Sequence, residues 1–242
     1  MNYQEYLPHI SLRAIIDKYW LMSDFENNYS ERVFPEGCTN LVFHQTSRSS
    51  SLNVMGINST FSDFEANADD SYFGVSFRPG MLSILTKESL FAIKDVSVAS
   101  QEIIPQLNSM SIAQLEDCTT VGDKINQIEN HLFQILSPLS STELLSGSVA
   151  NAIQSDHNQD TLCLAEKHNI SLRQLERKFK KEVGLSMKLY MRLTRFNKAV
   201  NTIQTYSSAS FSEIAYELGF YDHAHLSNEI KHFSGLVPSS FR

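Results

Sequence analysis

The sequence predicts an α+β protein, in which a β-rich N-terminal domain with some helices precedes an all-α C-terminal domain. Three observations predict this fold class: short apolar runs between turn residues up to Gly80, helical periodicity beyond it, and an internal repeat in the last third of the 242 residues. The segment Ser137–Ser141 contains one proline and three serines, which is typical of a linker. We therefore expect the domains to be residues 1–138 and 139–242.

The elements of the N-terminal domain follow from its apolar runs. Thr39–Phe43, Leu52–Ile57 and Tyr72–Phe77 are predicted strands, and helices are expected from Met81 onward. A later helix of about four turns is predicted by apolar residues at spacings of 4, 3, 4 and 3, namely Val121, Ile125, Ile128, Leu132 and Ile135. This stripe suits either a dimer seam or packing on the protein's own N-terminal domain, and two heptads are too few to separate the alternatives.

Composition argues against several classes of protein. No apolar run approaches the roughly 20 residues that span a bilayer, and Met1–Leu12 lacks the pattern of a signal peptide, so we expect a soluble cytoplasmic protein. The cysteines Cys38, Cys118 and Cys163 are far apart without a CxxC pair, which argues against disulfides and a zinc module. His44 has no partner at metal-ligand spacing, and no nucleophile elbow, P-loop or GxGxxG motif occurs. We therefore expect no metal, no cofactor and no enzymatic activity.

Charge is distributed unevenly along the chain. The net charge is −7, but residues 160–242 hold twelve Lys and Arg against eight Asp and Glu, a net of +4, which leaves −11 for residues 1–159. Within Lys167–Lys198, ten residues are basic and two are acidic. This asymmetry indicates a polyanion-binding C-terminal domain, with a merely solvated helix surface as the alternative.

The last third of the chain contains two copies of one pattern. A shift of 50 residues places Ala165 on Ala215 and Asn169 on Gly219, and downstream of the turn the shift becomes 51. In each copy the small residue lets two helices approach closely, and four positions later Asn or Gly suits the left-handed backbone of a sharp turn. These features predict two helix-turn-helix units, joined by a long helix over Met187–Gln204.

The second helix of each unit has an apolar side and a polar side. Ser171 and Asp222 are the predicted N-caps of these helices. The outward residues are Arg173, Gln174, Arg177, Lys180 and Lys181 in the first helix, and Ala224, Asn228, Lys231 and His232 in the second. Such faces suit a DNA major groove, where Arg pairs with guanine, Asn or Gln with adenine, and Lys with phosphates.

The stretches Leu164–Gly184 and Ile214–Arg242 resemble the two helix-turn-helix units of the AraC/XylS family of transcription regulators, including its closing GxxPxxxR. The sequence departs from the family pattern at Met187, Asn228 and Ile230. The resemblance implies a bacterial transcription factor that binds double-stranded promoter or operator DNA sequence-specifically. It also implies RNA polymerase as a candidate partner, and an activator rather than a repressor.

Candidate DNA contacts follow from this resemblance and from the polar faces. The expected base-reading residues are Arg173, Gln174, Glu176 and Arg177 in the first unit and His223, Ala224 and Asn228 in the second. The expected contacts to the DNA backbone are Ser171, Lys180, Lys181, Arg195, His225 and Lys231. Because of the departures at Asn228 and Ile230, the second unit is expected to contact mostly backbone while the first reads bases.

The N-terminal half resembles the cupin-like sensor domain of one branch of this family, through Val33–Cys38 and Gly74–Gly80. That resemblance implies a compact β-rich region, with a small-molecule effector and a homodimer as candidates. Glu36 and Arg78 are candidate ligand contacts, and each also sits beside a Pro/Gly turn that it could stabilise. Two other classes stay open: a DNA-repair alkyltransferase, although Cys38 lacks a Pro-Cys-His setting, and a cupin enzyme, which the missing metal ligands oppose.

Overall fold

A computed structural model describes residues 1–105, 107, 112–136, 145–156, 158–206 and 208–242. Over these ranges the chain is α+β as predicted, with an antiparallel sheet in the N-terminal half and helices in the C-terminal half. The segment Ser137–Ser141 and the boundary between residues 138 and 139 lie outside the described residues, so both stay predictions. Across the described ranges, no helix is both long and apolar enough to cross a membrane.

The N-terminal half is built on a six-stranded antiparallel sheet in the order β1-β2-β7-β4-β5-β8, with β3 and β6 paired in a separate ribbon. The strands are β1 (Asn2–Tyr6), β2 (Ile16–Ser23), β3 (Tyr29–Val33), β4 (Thr39–Gln45), β5 (Ser50–Met55), β6 (Ser62–Ala66), β7 (Ser71–Phe77) and β8 (Ser97–Ala99). The three predicted strands are confirmed as β4, β5 and β7. Strand β5 ends two residues earlier than predicted, because its pairing with β4 stops at Asn40, one residue from the start of that strand. Beyond Met55, the Gly56 amide still donates to the carbonyl of Val96 (3.0 Å).

Downstream of β7 the chain differs from the expected run of helices. Met81–Ile84 and Leu90–Ile93 form 3-10 turns, and β8 pairs with β5 before α1 (Ser100–Ile103). Leu82 and Leu90 are almost fully buried, so this segment covers the edge of the sheet core in short turns. The apolar spacing after Met81 predicted α-helix, but in the structure these apolar residues lie on short 3-10 turns.

The predicted apolar stripe lies on α3 (Val121–Leu136), which follows α2 (Ile112–Glu116). Ile128 and Leu132 are at most 2% exposed and belong to the same core as the residues of the sheet. Beside them Glu129 accepts hydrogen bonds from the His9 amide (2.7 Å) and the Tyr19 hydroxyl (3.2 Å). Of the two alternatives for this stripe, the structure shows packing on the protein's own N-terminal half.

The C-terminal helices are α4 (Leu145–Ser155), α5 (Thr161–Lys167), α6 (Leu172–Val183), α7 (Met187–Thr205), α8 (Phe211–Glu217) and α9 (His223–Ser234). The predicted long joining helix is thus confirmed as α7. Aromatic side chains that are at most 1% exposed join these helices in one apolar core, namely Phe179, Tyr190, Phe196 and Phe233. Burial of this kind contributes about 1.5–3 kcal/mol for each large apolar side chain.

The N-terminal half packs directly on the C-terminal helices. Ile57, just beyond β5, is 1% exposed and belongs to the C-terminal core rather than to the sheet core. The rings of Phe34 and Phe241 lie 5.4 Å apart, and Arg32 donates from Nη1 to the Ser234 carbonyl at the end of α9 (3.3 Å). The two halves therefore share a packed interface.

Candidate nucleic-acid interface

The first helix-turn-helix unit consists of α5, a tight turn and α6. Ala165 is 3% exposed where α5 passes beneath the turn, and Asn169 adopts the left-handed backbone with φ of 54°. The amide of Ile170 closes the turn by donating to the Ala165 carbonyl (3.1 Å). Helix α6 then begins in a capping box: Ser171 Oγ accepts from the Gln174 amide, and Gln174 Oε1 accepts from the Ser171 amide (3.0 Å).

Helix α6 separates apolar from basic residues almost completely. Leu175, Phe179 and Val183 are at most 1% exposed and point into the C-terminal core. The opposite side exposes four cations, Arg173, Arg177, Lys180 and Lys181, which we call the α6 basic face. At 100° per residue these four positions fall within about 100° of arc, so their charges act together on one partner.

The remaining predicted contacts of α6 are placed differently. Glu176 is exposed at the border of the basic face. Gln174 is also exposed, but its side-chain oxygen is held by the capping box, which opposes a role in reading a base. The Lys180 ammonium lies 3.8 Å from the centroid of the Phe91 ring, a cation–π contact with the N-terminal half.

The second unit repeats this construction with α8 and α9. Ala215 is 1% exposed, and its carbonyl accepts from the Phe220 amide (2.8 Å), as Ala165 accepts from Ile170. Gly219 takes the left-handed position with φ of 69°. Asp222 caps α9, because its Oδ1 accepts a hydrogen bond from the His225 amide (2.7 Å).

The outward side of α9 is more neutral than that of α6. Leu226, Ile230 and Phe233 are fully buried, whereas the predicted contacts His223, Ala224, Asn228 and Lys231 are exposed. The remaining predicted contact, His225, is half-buried: its ring packs edge-on against Phe220 and its Nδ1 accepts from the Tyr221 amide (3.2 Å). The histidine thus helps to hold the turn.

A buried ion pair attaches α9 to α7 and was not foreseen from the sequence. Arg192 donates two parallel hydrogen bonds to the carboxylate of Glu229 (2.9 and 2.8 Å), and Glu229 is only 8% exposed. Burial alone would raise the pKa of Glu229, but the Arg192 guanidinium holds that pKa below its usual range. The available sequence signal was the place of Glu229 beside Ile230, on the inward side of α9.

Arg195, a predicted contact to the DNA backbone, faces the second turn instead of open solvent. It donates from Nη1 to the Gly219 carbonyl (3.0 Å), and its guanidinium lies 4.9 Å from the centroid of the Phe220 ring. The side chain therefore stabilises the conformation of the turn. Its contact to DNA stays a prediction.

Glu36 and Arg78 both support the chain around β2. Arg78 donates from Nε to the Arg13 carbonyl (2.7 Å) and its Nη2 lies 3.3 Å from Asp17 Oδ1. Glu36 lies 3.6 Å from the Lys18 ammonium. Through these contacts both side chains stabilise the local chain. A role in ligand binding stays a prediction for both.

Cys38 has the properties of a structural thiol. Burial, together with the carboxylates of Asp17 and Glu36, raises the pKa of Cys38 to about 12. A thiol with this pKa is almost wholly protonated at neutral pH, whereas an alkyl-accepting cysteine needs a thiolate. Within the described ranges, no three His, Cys, Asp or Glu side chains come together as a metal site.

Comparisons with known proteins match two separate parts of the chain. Residues 4–99 match a family described as a domain of unknown function (DUF6597), and residues 164–242 match a family described as a helix-turn-helix domain. The second match begins within α5 and includes α6 to α9, so it confirms the two predicted helix-turn-helix units, while the domain bounds stay a prediction.

The chain is also similar to curated transcription regulators. The HTH-type transcriptional activator RhaS of Citrobacter koseri is 29% identical over 159 residues, 59% of this chain and 55% of that protein. RhaS of Salmonella arizonae is 31% identical over 120 residues, 45% of this chain and 43% of that protein. The chain thus spans about half the length of the curated relatives that it matches.

The chain is also similar to several solved structures. One is the C-terminal domain of AraT, a response regulator from Geobacillus stearothermophilus, which is 24% identical with a TM-score of 0.38. The match covers 43% of this chain and 87% of the AraT chain. ToxT from Vibrio cholerae, bound to (E)-4-(8-methylnaphthalen-1-yl)but-3-enoic acid, is 12% identical and covers 100% of this chain and 98% of its own, with a TM-score of 0.47.

Proposed function

We propose that this chain, whose C-terminal third is an AraC/XylS-type helix-turn-helix domain, is a transcription regulator that binds double-stranded DNA sequence-specifically. The observation that supports this proposal most is the presence of two capped helices, α6 and α9, on one shared C-terminal core. Each helix buries its apolar side and leaves a polar side for the major groove.

The length of the helix that joins the two units suits simultaneous binding to one face of the duplex. Helix α7 has 19 residues, and at 1.5 Å per residue it is roughly 28 Å long. Successive major-groove segments on one face of DNA are about 34 Å apart. The hydrogen-bonded pair of Arg192 and Glu229 ties α9 to this helix, so the second unit is held in a defined orientation.

In this proposal the first unit makes most of the base contacts, and the second unit contacts mainly the DNA backbone. On the α6 basic face, Arg173 and Arg177 pair with guanine edges, while Lys180 and Lys181 contact phosphates. Glu176 adds a candidate acceptor for cytosine. In the second unit His223, Ala224 and Asn228 approach base edges more weakly, and Lys231 contacts the backbone.

Residues 1–138 act in this proposal as the sensor and dimerisation domain, and residues 139–242 as the DNA-binding domain. With a net charge of −11, the segment before residue 160 is repelled by DNA, so it influences binding through an effector, a second copy or another protein. Glu36 lines a cleft of about 310 Å³ against α7, a volume near the lower end for small-molecule sites. The chain is proposed to act in the cytoplasm without enzymatic activity.

The chain is proposed to activate transcription, because the relatives are named transcriptional activators. RNA polymerase is then the expected partner. The alkyltransferase alternative is disfavoured by the protonated thiol of Cys38.

Selection of DNA from a random duplex library by the full chain tests the proposed function. We expect an enriched motif with two parts about 10 base pairs apart, because α6 and α9 enter successive grooves. The matched control is the double variant Arg173→Ala and Arg177→Ala, in which the stronger part of the motif should disappear. A full chain that enriches no sequence and binds no duplex at about 50 mM salt would overturn the proposal.

A further inference from the structure

The two helix-turn-helix units differ by one residue at the turn. Ile170 and Phe220 are structurally equivalent, because their amides donate to the carbonyls of Ala165 and Ala215 at 3.1 and 2.8 Å. In the first unit the next residue is already the N-cap of α6, whereas in the second unit Tyr221 precedes the N-cap of α9. This extra residue is the reason that the internal repeat changes its offset from 50 to 51.

The backbone of Tyr221 is held by a hydrogen bond, whereas its side chain is exposed to solvent. The Tyr221 amide donates to His225 Nδ1 (3.2 Å), and the His225 ring packs on Phe220. The side chain of Tyr221 is nevertheless 92% exposed, the highest exposure among the large hydrophobic side chains of the described residues. A large aromatic ring held in water on an ordered backbone makes no contribution to the packed core.

Tyr221 lies next to the exposed residues at the start of α9. Tyr221 comes two residues before His223 and three before Ala224, both exposed and both predicted to face base edges. The same helix exposes Lys231 as its one Lys or Arg, so the second unit has few cations with which to contact phosphates. A tyrosine offers a hydroxyl that donates to a phosphate oxygen and a ring that packs on deoxyribose.

We infer that Tyr221 is a contact to the DNA backbone, in which its hydroxyl donates to a phosphate oxygen and its ring lies against the neighbouring sugar. This inference rests on the proposed function, since it requires α9 to enter a major groove. The contact adds affinity for every sequence alike, because phosphates and sugars are the same at each base pair. It also adds no charge, which gives it a signature different from that of a lysine.

The test measures the binding of the full chain to a random-sequence duplex of about 30 base pairs by fluorescence anisotropy at several salt concentrations. Tyr221→Ala should raise Kd about five- to tenfold, and Tyr221→Phe about two- to threefold, because the phenylalanine keeps the ring and loses the hydrogen bond. The slope of log Kd against log salt should stay unchanged in both variants, whereas Lys231→Ala should lower it by about one.

Tyr216 provides a matched control within the same unit. It is also a tyrosine and is 89% exposed, but it lies on α8 and not beside the start of the recognition helix. Tyr216→Ala should therefore change Kd less than about twofold, and the melting temperatures of all variants should equal that of the unmodified chain. Equal losses for Tyr216→Ala and Tyr221→Ala, or a Tyr221→Ala chain with unchanged Kd, would overturn the inference while leaving the proposed function intact. An unmodified chain that binds no duplex would instead remove the proposed function, and this inference with it.

Discussion

The two helix-turn-helix units share a scaffold and differ on their outward faces. Ala165 and Ala215 are both at most 3% exposed beneath the turn, and Ser171 and Asp222 cap the two recognition helices by accepting from amides three residues on. Helix α6 nevertheless exposes four cations on one face, whereas α9 exposes Lys231 beside neutral side chains. The buried residues and the turn residues thus specify the helix-turn-helix fold. The exposed residues of α6 and α9 determine what each unit can bind.

The units also differ in their attachment to the rest of the domain. The second is tied to α7 by the buried pair of Arg192 and Glu229. At the matching position of α6 stands Lys178, which is exposed and lies 3.8 Å from Glu182 of the same helix. The second unit is thus attached to α7 by an ion pair as well as by apolar packing, whereas Lys178 of the first unit pairs within its own helix.

The largest expected effect concerns this attachment. Arg192→Ala should lower the free energy of unfolding by about 2–3 kcal/mol, because it leaves the buried Glu229 carboxylate without its partner. The one-third exposure of the Arg192 side chain keeps this value below the 3–5 kcal/mol of a fully buried pair. Urea denaturation at pH 7 measures the change, with Lys178→Ala as the control that should lose less than about 0.5 kcal/mol. Equal losses of unfolding free energy in the Arg192→Ala and Lys178→Ala variants would show that the ion pair does not distinguish the attachment of the two units.

A smaller effect is expected at the turns. Gly219 has φ of 69°, where a Cβ atom is unfavourable, so Gly219→Ala should cost about 1–2 kcal/mol of stability. Asn169 occupies the matching position with φ of 54°, and Asn169→Gly should change stability by less than about 0.5 kcal/mol. Thermal unfolding of both variants makes the comparison. If the alanine variant melted like the unmodified chain, the second turn would not depend on the left-handed backbone.

Lys180 and Lys231 occupy matching positions and should act alike on DNA in spite of their different helices. Each alanine variant should weaken binding to every duplex equally and lower the slope of log Kd against log salt by about one, because one phosphate contact is lost. Phe91→Ala is the control, since it removes only the ring beneath the Lys180 ammonium and should leave the slope unchanged. A loss that depends on the base sequence would instead place Lys180 among the base-reading residues.

The smallest expected effect is on the pH dependence of stability. The pKa of Glu229 is lowered in the folded protein, so its contribution is present above its unfolded pKa of about 4.3 and is lost as pH falls through the folded value. Stability of the unmodified chain should therefore fall more steeply below about pH 4.5 than that of the Arg192→Ala variant. Parallel pH profiles of the two proteins, measured by urea denaturation, would contradict this role of the pair.

Much of the C-terminal domain could be predicted from the sequence because its signals are local. Ala165, Asn169 and Ser171, with their partners in the second unit, each specify a feature of one turn, and the structure places them as expected. The capping role of Gln174 also had a local signal, the Ser-x-x-Gln pattern that begins at Ser171. The family resemblance added the function, which turn chemistry alone does not give.

The features that the sequence did not reveal depend on distant partners. The entry of Ile57 into the C-terminal core and the packing of Ile128 on the sheet are set by tertiary contacts, which periodicity does not contain. Arg192 and Glu229 are charged residues on amphipathic helices, and such residues usually face solvent. Short polar strands such as β3 have too few apolar residues to show a pattern.

The most direct test of the comparison is the specificity ratio, the Kd for a scrambled duplex divided by the Kd for the selected duplex. We expect Arg177→Ala to reduce this ratio about tenfold or more, because one bidentate guanine contact provides about 1–3 kcal/mol of discrimination. Asn228→Ala should change the ratio less than about threefold, because the second unit contacts mainly the backbone. A ratio that survives Arg177→Ala and collapses with Asn228→Ala would contradict the account, since α9 would then be the helix that reads the sequence.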